Sequence, residues 1–471
     1  MSNLEVRKTF RNGNKDIPYK ILSVVFFALL LDILSFTIIL PLLPRLIEYY
    51  EVLEVGQADT LLSSVMYYIG YFKKNVIGEV GDSRVDIVLL GGALGSLFSL
   101  LQSIVAPFIG RMSDIYGRRK ILLITTFGNA VSCLIWVFAQ DFKTFVIFRV
   151  VGGLCEGNVQ LSSAIISDIT TPETRSKGLA LIGVAFAISF TFGPATGAFF
   201  ASKDLSSSYP NITNWGLHPY SYAALISLIL VLVEMVYLYI FLEETIDYKR
   251  KCLSTDTESK VDKVQLDSDI RLKVKSIDFL NWTHFIFIFV FAGMEYTITF
   301  LTFDVFDFDN MQQGKLLGFI GILSALLQGG YVRRMAYKIG EKRIVVQGAV
   351  SCAAGLGSIA FLAIGNKSIF WLYVGAFFLA FTSATVVNCL TALVSLHCDQ
   401  ELSDQLARGH VLGKFRSFGQ IGRAAGPIAA SSFYWVFGGI KCYGYGCFAM
   451  LIITFAITSL IQQPKIKSKS I

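Results

Sequence analysis

GRMSDIYGRRK, residues 110–120, stands between two apolar stretches near 87–109 and 121–139, and it carries Arg111, Asp114, Arg118, Arg119 and Lys120. Gly110 and Gly117 allow a tight turn and a close approach of backbones. Asp114 precedes Arg118 by one helical turn, so the two can pair while the carboxylate faces the N-terminus of a neighbouring helix. A short charged connector between stretches of that length is what a chain needs when it crosses a bilayer, turns, and crosses back.

Composition agrees. Apolar residues make up 54% of the 471 residues and charged residues 16%, with a mean hydropathy of +0.59, which would leave a soluble globule too little polar surface. A helix crossing about 30 Å of hydrocarbon needs roughly 20 mainly apolar residues. Twelve stretches meet that requirement, near 20–43, 87–109, 121–139, 144–168, 178–201, 220–242, 282–303, 316–334, 344–363, 368–397, 409–437 and 441–461. The first has Asp32 in its middle and continues through PLLP without a small-residue cleavage site, so it reads as a retained span and not a secretory signal. The strand-period alternation of an outer-membrane barrel is absent from these Leu/Ile/Phe/Val blocks. The expected fold is an all-α membrane protein of twelve transmembrane helices in two pseudo-symmetric six-helix bundles.

Lys and Arg collect between spans 2 and 3, and again between spans 8 and 9 at Arg333, Arg334, Lys338, Lys342 and Arg343. Between spans 3 and 4 there is only Lys143, and between 9 and 10 only Lys367. The basic side is therefore expected in the cytosol, with both termini there. The net charge of +7 follows from these loops lying against anionic lipid, and nucleic-acid binding is not indicated. Two glycosylation tripeptides, at Asn211 and Asn366, fall in loops this topology places outside; Asn366 is too near the membrane, which leaves Asn211 as the candidate. The eight cysteines form no disulfide framework or metal spacing.

The expected organisation is a tail at 1–19, a first bundle at 20–242 with an outer loop at 44–86, a polar mobile linker at 243–281, a second bundle at 282–461 and a tail at 462–471. The halves echo each other: GPATGAFF at 193–200 resembles GPIAASSFYW at 426–435. Repeated halves around a central site permit rocking between two open states.

Gly110, Asp114, Gly117, Arg118 and Arg119 resemble the first loop motif of the major facilitator superfamily. Arg149 with Gly153 resembles its fourth-helix motif, and Gly193, Pro194 and Gly197 the fifth-helix motif of its drug:proton antiporters. The strings DILSFTIILPLLP, GNVQLSSAIISDITTPETRSKG, GMEYTITFLTF and RSFGQIGRAAGPIAASSFYW are similar to the superfamily's tetracycline-transporter-like branch, which implies export of organic anions. Where the fifth-helix motif usually has a further Gly, this chain has Ser189. The resemblance also implies that Asp114 and Arg118, with Asp168 as a further partner, latch the cytosolic side shut, and that spans 1, 4, 7 and 10 line a central cavity. Gly193, Pro194 and Gly197, with Gly426 and Pro427, read as packing and bending points.

Charges at mid-depth cost about 2.5 to 3.5 kcal/mol each on insertion scales, so they face a cavity or a partner. Asp32, Glu156 and Glu295 lie midway along spans 1, 4 and 7. Each is open to two readings, a proton carrier or a static helix-to-helix tie. Arg149 and Glu156, seven residues apart on one face, can neutralise each other. Glu234 in span 6 reads as structural. Arg416 and Arg423 share a face of span 11 and suit a carboxylate or sulfonate, against alternatives in which Arg416 snorkels and Arg423 pairs with Glu295. Asn388, Gln160, Gln102 and Gln328 offer neutral hydrogen bonds, and Tyr296 and Phe300 a flat apolar wall.

No HExxH, GxSxG or phosphate-binding GxxxxGK[ST] pattern occurs, so an enzyme and an ATP-driven pump are not expected. A channel lacks its filter ring, and a sensor or scaffold need not bear the cost of mid-membrane carboxylates. The expected function is secondary active export of small amphipathic organic anions or drugs by proton-coupled antiport, with uncoupled facilitation or a non-transporting sensor as alternatives. The expected partners are an anionic small molecule, protons and membrane lipid. No cofactor or metal is expected, and the chain reads as a monomer in the plasma membrane or an endomembrane, the nuclear envelope included.

Overall fold

The structure is a computed structural model and describes residues 18–54, 59–77, 83–172, 174–201, 216–246, 263–308, 310–363, 368–399 and 402–460. The first half contains α1 (Tyr19–Thr37), α2 (Leu43–Leu53), α3 (Leu61–Phe72), α4 (Ser83–Tyr116), α5 (Arg118–Val137), α6 (Phe142–Cys155), α7 (Asn158–Ile169), α8 (Arg175–Ala201) and α9 (Ser221–Phe241). The second contains α10 (Lys263–Phe306), α11 (Asn310–Leu327), α12 (Arg333–Ile339), α13 (Glu341–Ala363), α14 (Ile369–His397), α15 (Arg408–Phe437) and α16 (Gly439–Leu460). Among the described residues, ten helices are long and apolar enough to cross a membrane. The other two of the twelve expected spans differ for physical reasons. Span 4 is broken into α6 and α7 at Glu156 and Gly157, and span 11 is the continuous α15, which carries Arg408, Lys414, Arg416 and Arg423.

Three sequence readings change. The stretch 44–86, expected as an outer loop, contains α2 and α3 and a turn at Lys73–Ile77. Tyr50 of α2 donates to the Ala139 carbonyl at 2.7 Å, and Glu54 accepts from the Phe142 N–H at 3.2 Å, so α2 caps the start of α6. The polar stretch 243–281 is helical from Lys263 onward as the first part of α10. Span 8 continues from α11 through a π-turn at Gln328–Val332 into α12. Asn211 lies outside the described residues.

The halves meet along two seams. On one, α4 lies against α15: Ser96 donates to the Ala424 carbonyl at 2.8 Å and Ser417 to the Ser103 carbonyl at 2.6 Å. Backbones approach so closely that a Cβ on Gly110 would overlap the Gly409 carbonyl oxygen. On the other, α8 lies against α11 and α14, with Gly183 packed on the Asn388 and Gln328 amides.

Both seams are tied at the end that carries residues 110–120, the basic end. Asp114 accepts from the backbone N–H groups of Gly409 at 2.9 Å and His410 at 2.7 Å, placing its carboxylate on the N-terminus of α15, where helix-dipole and hydrogen-bond terms add. It also pairs with Arg118 at 2.6 Å, and Arg118 reaches Asp168 at 2.9 Å. Asp168 receives Arg408 of the second half at 2.9 Å. Gly117 has φ +102°, a conformation that disfavours any side chain, and a Cβ there would meet Glu244. Glu244 in turn accepts from the N–H groups of Arg118 and Arg119 at 2.9 and 3.1 Å. The other seam has its own tie: Arg175 donates to the Ser395 carbonyl at 3.0 Å, and Ser176 donates to Glu341 at 2.5 Å.

Pro194 and Pro427 lie inside unbroken helices. Gly193 packs on Thr37, Gly197 on the Ile38 carbonyl, and Gly426 on the Phe289 carbonyl. At Ser189 the hydroxyl donates to the Leu30 carbonyl at 3.1 Å, and its own carbonyl accepts from Thr37 at 3.1 Å, so a serine serves as an α1 to α8 tie where the motif has glycine.

Asp114→Asn should remove about 1–2 kcal/mol from the closed seam, and Asp168→Asn, which leaves Arg408 without a carboxylate and Arg118 with Asp114 alone, about 3 kcal/mol. Maleimide labelling of Ser417→Cys in a cysteine-free background should rise in both variants, more in the second; unchanged labelling would rule out the latch.

Candidate functional site

The break between α6 and α7 builds the site. Glu156 leaves helical geometry at ψ 104°, and Gly157 follows at φ −133° and ψ −5°. A Cβ on Gly157 would press on Ile109 at 2.9 Å and Thr125 at 3.1 Å, so only glycine lets α4 and α5 close over the break. Helical geometry resumes at Asn158, the first residue of α7.

Three carboxylates of the first half gather there. Asp32 of α1 is 5% exposed and accepts from the Asn158 amide at 2.7 Å. Glu156 accepts from the Asn129 amide of α5 at 3.2 Å. Glu234 of α9, 1% exposed, meets the same Asn158 amide at 3.5 Å, and Thr125 donates to the Asn158 oxygen at 3.2 Å. From this cluster a cavity of about 50 Å³ runs away from the basic end, lined among others by Asp32, Asn129, Glu156, Arg149, Phe98 and Val231. That is room for a few waters in a polar-walled pocket.

Arg149 is the cavity's cation. It makes no ion pair within 4 Å among the described residues, which corrects the expected neutralisation with Glu156. Its guanidinium instead lies over the Phe98 ring at 4.6 Å, with Phe148 at 5.8 Å and Phe36 at 5.9 Å, a cation–π arrangement that shields the charge without cancelling it. The second half contributes Arg416, which is within electrostatic reach of Glu156 across the seam. With the Gln420 amide turned so that its oxygen meets the guanidinium, Gln420 accepts from Arg416 at 3.0 and 2.9 Å and donates to Gln102 of α4 at 3.1 Å.

Other predicted residues lie elsewhere. Glu295 of α10 and Arg423 of α15 are both exposed and stand outside the cluster, and no ion pair joins them. Tyr296 places its hydroxyl against Gly92 of α4 at the seam. Asn388 sits in the α8 seam beside Gln328. Gln160 donates to the Ala106 carbonyl at 3.1 Å and ties α7 to α4. Phe300 lies on α10, and its side chain is outside the described residues.

Sequence reasoning passed over Asn129 and Asn158, the two amides that organise the carboxylates, and read Glu234 as structural. The insertion-cost argument used for the carboxylates applies to an amide at mid-depth as well, and would have marked both. Glu341 could have been found by its place directly after Gly340, as Arg118 follows Gly117.

Comparison with known proteins fits this architecture. Residues 25–427 match the profile of the Major Facilitator Superfamily. The chain is 34% identical over 467 residues to the major facilitator superfamily domain-containing protein 10 of Mus musculus, covering 96% of this chain and 94% of that protein. It is 25% identical over 392 residues to the class B tetracycline resistance protein of Escherichia coli, covering 81% and 90%. The crystal structure of the human organic anion transporter MFSD10 (TETRAN) superposes with a TM-score of 0.78 at 31% identity, over 94% of this chain and 100% of that one. With a profile that spans both bundles and relatives that cover nearly its whole length, the chain belongs to the Major Facilitator Superfamily.

Proposed function

We propose that this transporter exports small amphipathic organic anions by proton-coupled antiport, rocking about the two seams with its basic end toward the cytosol and both termini on that side. The observation that carries the reading is the placement of Arg416 of one half within reach of Glu156 of the other, beside the cavity that Asp32 lines. When neither load is bound, attraction between the guanidinium and the carboxylate, short of a direct ion pair, holds the halves across the seam. An organic anion that takes Arg416 releases that hold, and so does a proton that takes Glu156. Either load alone frees the halves while the empty form stays shut, which is the condition for exchanging one for the other. Asp32, at the cavity wall and next to Glu156, is where the proton enters.

An anionic substrate is supported by the description of the human relative as an organic anion transporter and by the chemistry of Arg416 and Arg423. A guanidinium holds a carboxylate or sulfonate through paired hydrogen bonds. Arg423, exposed two turns farther from the latch than Arg416, offers the next contact for an anion moving from Arg416 toward the side opposite the basic end.

In vesicles of the purified protein, naphthalenesulfonate flux driven by an imposed pH gradient should fall at least about tenfold in Asp32→Asn, the loss of roughly 1.4 kcal/mol of coupling. Flux in Asp32→Asn equal to wild type would remove Asp32 from the mechanism. Arg423→Ala should weaken naphthalenesulfonate by about tenfold or more, the worth of a charge-assisted hydrogen bond, and leave the uncharged sulfonamide of the same ring within about twofold. An equal effect on both would discard the anion role.

A further inference from the structure

Glu234 is a buried acid of the first bundle that the exchange scheme leaves unused. It lies on α9 one turn nearer the basic end than Val231, which lines the cavity. Beyond it toward that end, Leu238, Leu242, Ile121, Leu122 and Ile165 belong to one buried apolar cluster and close the path. The carboxyl group is thus held between a polar cavity and an apolar plug.

Its partners do not account for an ionised group. Among the described residues no Lys or Arg lies within 4 Å of Asp32, Glu156 or Glu234. Glu234 Oε1 has only the Asn158 amide, at the 3.5 Å limit, and Oε2 has no hydrogen-bond partner. The groups that face it are Asp32 from α1, Glu156 from the break, Asn158 from α7 and the Cys133 thiol from α5; none carries positive charge. Arg149, the cavity's cation, also has an unpartnered buried Nε and is held among aromatic rings. A buried carboxylate without a cation or a full set of donors is costly, whereas the protonated acid needs neither. Asn158 has one amide nitrogen for two acids, 2.7 Å from Asp32 and 3.5 Å from Glu234. When Asp32 is ionised it draws the amide toward itself and leaves Glu234 the longer contact, so the state of one acid is felt by the other.

We propose that Glu234 is a second proton-holding residue, linked to Asp32 through the shared amide of Asn158, so that the first bundle stores a proton apart from the surface that meets the substrate. The inference rests on the proton-coupled reading of the transporter. It separates two tasks: Asp32 exchanges its proton with the cavity, and Glu234 keeps one behind it, against the apolar plug.

The test uses full-length protein in vesicles, with naphthalenesulfonate as probe and wild type, Glu234→Gln and Glu234→Asp compared. Glu234→Gln keeps shape and cannot release a proton. It should lose at least about tenfold of the gradient-driven flux, a loss of about 1.4 kcal/mol, while melting with wild type. Glu234→Asp keeps the acid and should restore driven flux with its half-maximal pH displaced by about one unit or more. A wild type that ignores the gradient overturns proton coupling and this inference together. A wild type that responds, with a well-folded Glu234→Gln that responds equally, overturns the role of Glu234 alone. Should Glu234→Gln fail to fold, an unchanged pH profile in Glu234→Asp overturns it as well.

Discussion

Hydrocarbon offers no water to a polar group, so each charge placed in a membrane bundle must find a partner, a cavity or a proton. Nearly every functional feature of this chain is one solution to that constraint. At the basic end the solution is a partner. Asp114 sits on two backbone N–H groups of α15, and the arginines that surround it are shared among Asp114, Asp168 and a carbonyl of the opposite half. Because those partners come from both halves, satisfying the charges and closing the seam are the same event.

Deeper in the first bundle the solution is a cavity. The chain interrupts a span at Glu156 and resumes it at Asn158, which leaves the Glu156 carboxylate to the Asn129 amide at the cavity wall. The break also turns Asn158 inward, where its amide meets two acids and its oxygen receives Thr125. Arg149 is shielded by aromatic faces instead of an anion, so it tempers the potential of the pocket without forming a permanent salt bridge. Such a pocket can change its proton content at lower cost than one locked by an ion pair.

The two seams are tied by related means. In one, a carboxylate from α4 caps α15; in the other, Glu341 at the start of α13 receives Ser176 at the start of α8, and Arg175 reaches the end of α14. The correspondence follows from the repeat, since each half presents its connector after the second span to the fifth span of the other. Glycines at the crossings, such as Gly110 against Gly409, let the helices come near enough for these short ties to form.

Much of this was legible in the residues alone. Twelve apolar lengths, the spacing of residues 110–120 and the echo of 193–200 in 426–435 depend only on local chemistry and on the thickness of a bilayer, so they announced a two-bundle transporter fold and the Asp114–Arg118 pair. The helices at 43–53 and 61–72 were hidden because they are short and their burial depends on α6 and its surroundings. Tertiary structure alone decided which mid-depth charges meet. Asp32, Glu156 and Glu234 converge while Glu295 and Arg423 remain apart from them, because a side chain's neighbours are set by the rotation and crossing of helices far apart in sequence, and the one-dimensional pattern records depth in the membrane but not the direction in which a residue points.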